Sequence, residues 1–348
     1  MAFQVKGFDR LFFAALVAAS IGGVLAWLIG IPVPFLLGSS MATALIAMFG
    51  INFELPESVR IFAFFILGIQ AGSGVTPAAL EQVSLWPASF AALLVAVFFT
   101  ISVTYLYLHK IRKWSRQTAF FAALPGALSF VLAAAKETSA DFRAVTILQT
   151  IRLFLIIGIV VPIISVFEGA HPIPMQPMPP DALWQFALLA ICGILGAIVG
   201  HYSRLPGGMM LGSLLASSAL FGASVVTIRL PPLFANFGMI VLGMVIGSRF
   251  SGLDRQEIKR LFPASFYAFL FGTIAAASIG LLLHLVTGIG ISKIALAFVP
   301  GAMEAMTVIS FFLGVDPTYV AAHHVIRFLI IAISVPFIAR WLGQRRGR

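Results

Sequence analysis

LPGALSF at residues 124–130 and VPGAMEA at residues 299–305 decide how this chain is read. Each sets Pro-Gly inside an apolar stretch, and the two lie 175 residues apart. The same spacing, within one residue, joins LLGSSMA (36–42) to MLGSLLA (210–216) and LGIQAGS (67–73) to LGMVIGS (242–248). It also joins Leu55-Pro56 to Leu230-Pro231 and Arg152 to Arg327. Composition alone supplies some Leu and Gly matches. One offset kept through Gly-Ser, Pro-Gly and Arg pairs marks an internal duplication. Residues 1–168 form one repeat and 183–348 the other, joined by a proline-rich linker, 169–182.

The 348 residues are 60% hydrophobic and 10% charged, with a mean hydropathy of +1.06. A soluble domain carries ~25% charged residues. The composition therefore excludes a soluble enzyme, a disordered regulator and a disulfide scaffold, and leaves a polytopic membrane protein with room for roughly ten to twelve spans. Cys192 is the one cysteine, so neither a disulfide within the chain nor a thiolate metal cluster is expected. The first apolar run, Leu11 to Ile31, follows Lys6 and Arg10. It is longer than a signal-peptide core and has a counterpart in the second half, so it reads as a mature span.

Each half holds six apolar segments: 11–31, 33–50, 59–75, 84–108, 117–135 and 145–167, then 184–200, 208–226, 233–248, 263–287, 294–313 and 319–341. Six crossings per half would make the repeats parallel, and five would invert them. Loop charge distinguishes the two, because cytoplasmic loops collect Lys and Arg. The basic clusters are Lys110, Arg112, Lys113 and Arg116; Arg249, Arg255, Lys259 and Arg260; and Arg340, Arg345, Arg346 and Arg348. Those clusters hold twelve of the 22 cations, whereas the linker has none. With six crossings the 249–260 loop falls outside and the linker inside, against the rule. If the fifth segment of each half does not cross, all three clusters are cytoplasmic and the linker is external. The net charge of +10 then records topology rather than nucleic-acid binding.

Proline removes a backbone donor and glycine tolerates unusual dihedrals, so Pro-Gly can interrupt a helix. Unwound backbone in a bilayer survives only where protein or water satisfies it, and matched breaks in two repeats point to a transporter binding site. A kinked full span would carry the same residues; the charge pattern favours a re-entrant segment. If segments five and six fold back on each other, Glu304 and Arg327 reach similar depth and are expected to pair. In the first half Ser129 replaces Glu304 and Gln149 replaces His324, so Arg152 has no acid at its own depth. His323 and His324 suggest a proton relay, although adjacent helical residues diverge by ~100° and only one can face the site. The spacing of LG-x-x-x-GS suits close helix packing.

The paired L/V-P-G segments, each followed by Q/H-x-x-R and then a proline (Gln149, Arg152, Pro162; His324, Arg327, Pro336), resemble the bacterial AbrB membrane-protein family across essentially the whole chain. That resemblance implies a tandem membrane duplication, a fold related to inverted-repeat carriers, and an association with regulation of gene expression. The family motif tends to carry an acid after Pro-Gly; Ser129 departs from it. A legacy ammonia-monooxygenase label also attaches to the family, but the chain lacks the clustered ligands that copper chemistry would need. Nothing here resembles the soluble DNA-binding AbrB transcription factor.

The expectation is an all-α polytopic membrane protein of the bacterial inner membrane, with two inverted repeats of about five spans each plus a broken Pro-Gly segment, and with both termini cytoplasmic. Its expected activity is ion- or proton-coupled secondary transport of a small solute, an anion being favoured by the arginines. The expected site is Pro125, Gly126, Ser129, Gln149 and Arg152 with Pro300, Gly301, Glu304, His324 and Arg327, Glu304 titrating. No enzymatic activity, cofactor, metal or direct nucleic-acid contact is expected. The partners are the lipid bilayer, the solute and, for assembly, a second copy in a homodimer. The alternative is a membrane-embedded regulator that does not transport.

Overall fold

A computed structural model describes residues 10–75, 86–126, 128–136, 138–168, 182–203 and 207–344. The described residues form helices and connecting loops, without strands. In order they are α1 (Arg10–Leu28), α2 (Pro34–Met48), α3 (Glu57–Gly72), α4 (Trp86–Ile111), α5 (Arg116–Ala123), α6 (Leu128–Lys136) and α7 (Phe142–Glu168). The second half gives α8 (Ala182–Tyr202), α9 (Gly208–Gly222), α10 (Pro232–Gly247), α11 (Arg255–Thr287), α12 (Ile291–Phe298), α13 (Met303–Phe312) and α14 (Pro317–Gln344). Seven of these regions are long and apolar enough to cross a bilayer. Their outward side chains are apolar too: Val17, Ile21, Leu25 and Trp27 on α1, and Ile191, Ile194, Leu195 and Ile198 on α8, are all exposed. Water would penalise such faces and lipid does not, so the chain is a polytopic membrane protein. The linker 169–181 and the tail cations Arg345, Arg346 and Arg348 lie outside the described residues.

The compact units do not follow the sequence halves. One unit gathers Met1–Glu81, Ser165–Leu253 and Thr307–Thr318; the other gathers Gln82–Ile164, Asp254–Met306 and Tyr319–Arg348. Each therefore draws on both repeats.

In the first unit the repeated small-residue motifs pack on each other crosswise. Gly68 and Gly72 of α3 lie against Ser213 and Ser217 of α9, while Gly243 and Gly247 of α10 lie against Ser39 and Thr43 of α2. A Cβ at any of these glycines would collide with a hydroxyl or a carbonyl. The buried hydroxyls are satisfied within their own helices: Thr43 donates to Ser39 O at 2.7 Å and Ser217 to Ser213 O at 2.8 Å. This back-bonding hides the polar atoms and lets the backbones approach, which is how helices associate in lipid.

In the second unit α4 packs along α11. Thr100 donates to Gly272 O at 3.2 Å, and seven residues further along α4 the Tyr107 ring meets Tyr267 and Phe271 at 6.2 and 5.2 Å. Rising numbers on α4 face falling numbers on α11, so these two equivalent helices run antiparallel. The fifth segments are broken as read: α5 stops at Ala123 and α6 starts at Leu128, while α12 stops at Phe298 and α13 starts at Met303. Leu124 (φ −62°, ψ 128°) and Val299 (φ −55°, ψ 137°) are both extended, the conformation a following proline imposes.

Candidate functional site

The two breaks set up a backbone problem that the polar residues solve. In a helix the carbonyl of residue i accepts from the N–H of residue i+4. Pro125 and Pro300 have no N–H, which orphans the carbonyls of Phe121 and Leu296. Gln149 Nε2 donates to Phe121 O at 3.1 Å, and His324 Nε2 donates to Leu296 O at 3.0 Å. The side chain one helical turn before each arginine thus replaces the donor that each proline lacks.

The arginines take the next carbonyls along. Arg152 Nη2 donates to Leu124 O at 2.9 Å and to Gln149 Oε1 at 2.7 Å. Arg327 donates to Val299 O at 2.7 Å through Nη1, and through Nη2 to Gly301 O at 2.8 Å and His324 Nδ1 at 2.5 Å. Because Nδ1 accepts, His324 is the neutral Nε2–H tautomer by its hydrogen bonds. Gln149, Arg152, His324 and Arg327 are between 2% and 5% exposed, so these are internal groups and not surface charges.

The breaks also meet. Gly126 has φ +79°, and a Cβ there would stand 3.4 Å from Arg327 Nη2 and 3.5 Å from Gly301 O. Arg152 bonds Leu124, two residues before that point. Both guanidinium groups therefore bear on the first break, one from each repeat.

Most of the expected site residues come together here: Pro125, Gly126, Gln149 and Arg152 with Pro300, Gly301, His324 and Arg327. The other two are Ser129 and Glu304. Ser129 lies on α6, and its side chain falls outside the described residues. Glu304 is half-buried in the first turn of α13. No ion pair among the described residues joins it to Arg327; the recorded pairs are Arg60–Glu57 at 2.6 Å and Arg143–Glu257 at 3.9 Å. The pairing expectation is corrected for a geometric reason. The hairpin register sets Arg327 beside Val299 and Gly301, where unpaired carbonyls take its donors. Pro300 marks the orphaned carbonyl of Leu296, four residues before it, but the sequence carries no such mark for Val299 and Gly301.

A second cluster was not foreseen. His323 is fully buried, with Nε2 2.7 Å from Ser89 Oγ on α4 and Nδ1 2.7 Å from Tyr319 O. His323 and His324 therefore serve different surroundings, as their angular separation on α14 requires.

Comparison with known proteins gives the family of the chain. The family profile described as "Transition state regulatory protein AbrB" matches residues 35–343. The protein of Escherichia coli (strain K12) named "Putative regulator AbrB" is 26% identical over 324 residues, covering 90% of this chain and 91% of the relative. The uncharacterized protein YhjN of Bacillus subtilis (strain 168) is 25% identical over 366 residues, covering 97% of this chain and 94% of the relative. The profile spans both Pro-Gly segments and both arginines, and the chain belongs to the AbrB family.

Proposed function

We propose that this protein is a secondary transporter of a small anionic solute across the bacterial inner membrane, coupled to an ion or proton gradient. One observation carries the reading: two buried arginines from different repeats converge on a pair of helix breaks, with no carboxylate ion-paired to them among the described residues. A guanidinium has five N–H donors. The bonds to described residues use two on Arg152 and three on Arg327, which leaves donors for an anion. Burying a charge without a counter-charge costs several kcal/mol, and a solute that supplies the negative charge offsets that cost. The repeats are inverted in this reading. Its support is the antiparallel run of α4 and α11, since parallel copies would carry equivalent helices in one direction. The basic clusters assign 110–116 and 249–260 to the cytoplasmic face.

The names of the family and of the Escherichia coli relative favour a second reading, a membrane-embedded regulator of gene expression that does not transport. A solute carrier can also affect expression indirectly, by changing the level of an intracellular ligand.

The test is a thermal-shift screen of the purified protein against acetate, succinate, sulfate and inorganic phosphate, followed by flux of any hit in proteoliposomes. A hit should lose its shift in Arg152→Ala, and Glu304→Gln should impair flux. Uptake unchanged by both substitutions would remove the site assignment; flux absent for every hit would favour the regulator.

A further inference from the structure

We infer that the groove between α3, α8 and the start of α10 binds one anionic phospholipid, with an acyl chain lying in the groove and the phosphate held at Arg229. The site is independent of the transport reading and stands on its own residues.

The groove holds about 390 Å³ and is lined by apolar residues, among them Phe65, Ile69, Phe186, Leu189 and Ala190. Its floor is buried: Ile66, Ile69 and Leu189 are each at most 3% exposed. Its rim is open, with Phe62 at 49% and Phe234 at 42%. From Phe62 to Ile69 the groove follows α3 for ~10 Å, about two-thirds of one leaflet of a ~30 Å core. Water finds no hydrogen-bond partner in such a space, and an empty groove forfeits the dispersion contacts of its walls. A hydrocarbon chain supplies those contacts, and the bilayer around the spans is made of such chains.

The duplicate of this place is filled by the chain itself. Phe12, Leu16, Leu55 and Met244 belong to one packed apolar cluster. The repeat offsets of 174 and 175 residues carry them onto Phe186, Ala190, Leu230 and Ile69, all of which line the groove. Three exchanges separate the filled copy from the hollow one. Leu189 for Ala15 adds to the floor, and Phe234 for Val59 raises the rim. Ala190 for Leu16 leaves the opening uncovered: Leu16 packs against its cluster, whereas Ala190 is exposed.

One end of the groove is charged. Leu230 and Pro231 line it just before α10 begins at Pro232, and the stretch from Pro232 to Phe250 is long and apolar enough to span the bilayer. The preceding residue, Arg229, is exposed. Gln185 Oε1 accepts from Thr227 N at 2.9 Å and from Ile228 N at 3.3 Å, which ties the first turn of α8 to this segment. Next to Gln185, Trp184 is 49% exposed, as suits an aromatic residue at headgroup level. Arg229 therefore stands at the boundary where two spans begin. A lipid whose chain runs along α3 from Ile69 toward Phe62 brings its phosphate to that guanidinium, which binds phosphate oxygens bidentately. A zwitterionic headgroup carries its own cation to compete with the arginine, and an anionic one does not.

The test is native mass spectrometry of the purified full-length protein with phosphatidylglycerol and phosphatidylcholine of equal chain length. The expected result is one bound phosphatidylglycerol, held roughly five-fold more tightly than phosphatidylcholine, the worth of one basic side chain at a membrane surface. Arg229→Gln should bring phosphatidylglycerol down to the level of phosphatidylcholine. Ala190→Leu restores the side chain that the first repeat carries at Leu16. It should weaken both lipids by about ten-fold while leaving the unfolding temperature of the lipid-free protein unchanged or higher. Phe234→Ala, at the exposed rim, removes one wall and should also weaken both, so the groove is tested whatever the stability of either variant. Equal binding of the two lipids by the parent, or a preference unchanged in Arg229→Gln, overturns the phosphate contact. Binding unchanged in both groove variants overturns the groove. Palmitate bound as tightly as phosphatidylglycerol would make the ligand a free fatty acid, and a dimer that Ala190→Leu takes apart would make the groove an interface between copies; either result overturns the proposal.

Discussion

His324 and Gln149 occupy equivalent places in the two repeats and do the same work with different atoms, each giving a hydrogen to the carbonyl its proline abandons and accepting one from its arginine. The two residues should be exchangeable. His324→Gln is expected to keep both folding and solute binding, whereas His324→Ala leaves a buried carbonyl and a buried guanidinium short of partners and should destabilise by ~1–3 kcal/mol. Thermal unfolding of the two variants side by side checks this, and a large loss with glutamine would mean that the imidazole has a role of its own. Backbone strain is the other residue-scale signal. Val33, Lys113 and Ser224 are the described non-glycine residues with positive φ, and each has a left-handed glycine, or a glycine partner, one repeat away: Gly207, Gly288 and Gly50. Lys113 (φ 60°) is exposed and has no packing to lose. Lys113→Gly should therefore raise stability by about 0.5–1 kcal/mol, the left-handed strain relieved less the extra entropy of an unfolded glycine.

Among the elements, α5–α6 and α12–α13 are interrupted helices whose interruption is chemically cheap to undo. Pro300→Ala returns the N–H that Leu296 O lacks and lets α12 extend toward α13. The expected outcome is a folded protein that has lost solute binding, because a continuous helix draws its carbonyls away from Arg327; the hydrogen bond regained at Leu296 O offsets part of the ~1–3 kcal/mol that the buried guanidinium loses. Thermal unfolding read together with the anion-induced shift separates this from misfolding; retained binding would show that the break is not part of the site. The elements also explain what the sequence hid. A proline kink and a true break have the same letters, and only the extended backbone at Leu124 and Val299 distinguishes them. The LG-x-x-x-GS motifs were legible as packing surfaces, but not which helix they pack on, since that partner lies in the other repeat.

For the whole molecule, direction is the testable property. Arg112 ends α4, and Gly290 opens α12 in the other repeat, where its N-cap dihedrals (φ −52°, ψ 133°) match those of its equivalent, Ser115 (φ −58°, ψ 152°). Cys192→Ser removes the single native thiol and gives a background for labelling. Arg112→Cys and Gly290→Cys introduced into it should react with a membrane-impermeant maleimide from opposite faces of the cell membrane. Labelling from one face would mean parallel repeats and would remove the inverted arrangement from the proposed transport cycle.

The sequence by itself determined the membrane class and carried the repeated offset, the two Pro-Gly segments and most of the residues that meet there. Each of these is written in a local or periodic signal: apolar runs, a repeated offset, Pro-Gly, and an arginine set inside an apolar segment. Only the tertiary structure decided that Arg327 spends its donors on Val299 and Gly301 rather than on Glu304, that Gly126 brings the two breaks together, and that His323 belongs with Ser89, 234 residues away. A hydrogen-bond donor is satisfied by whichever acceptor the fold carries within about 3 Å. That choice depends on helix register and on contacts between repeats, which no single stretch of the chain encodes.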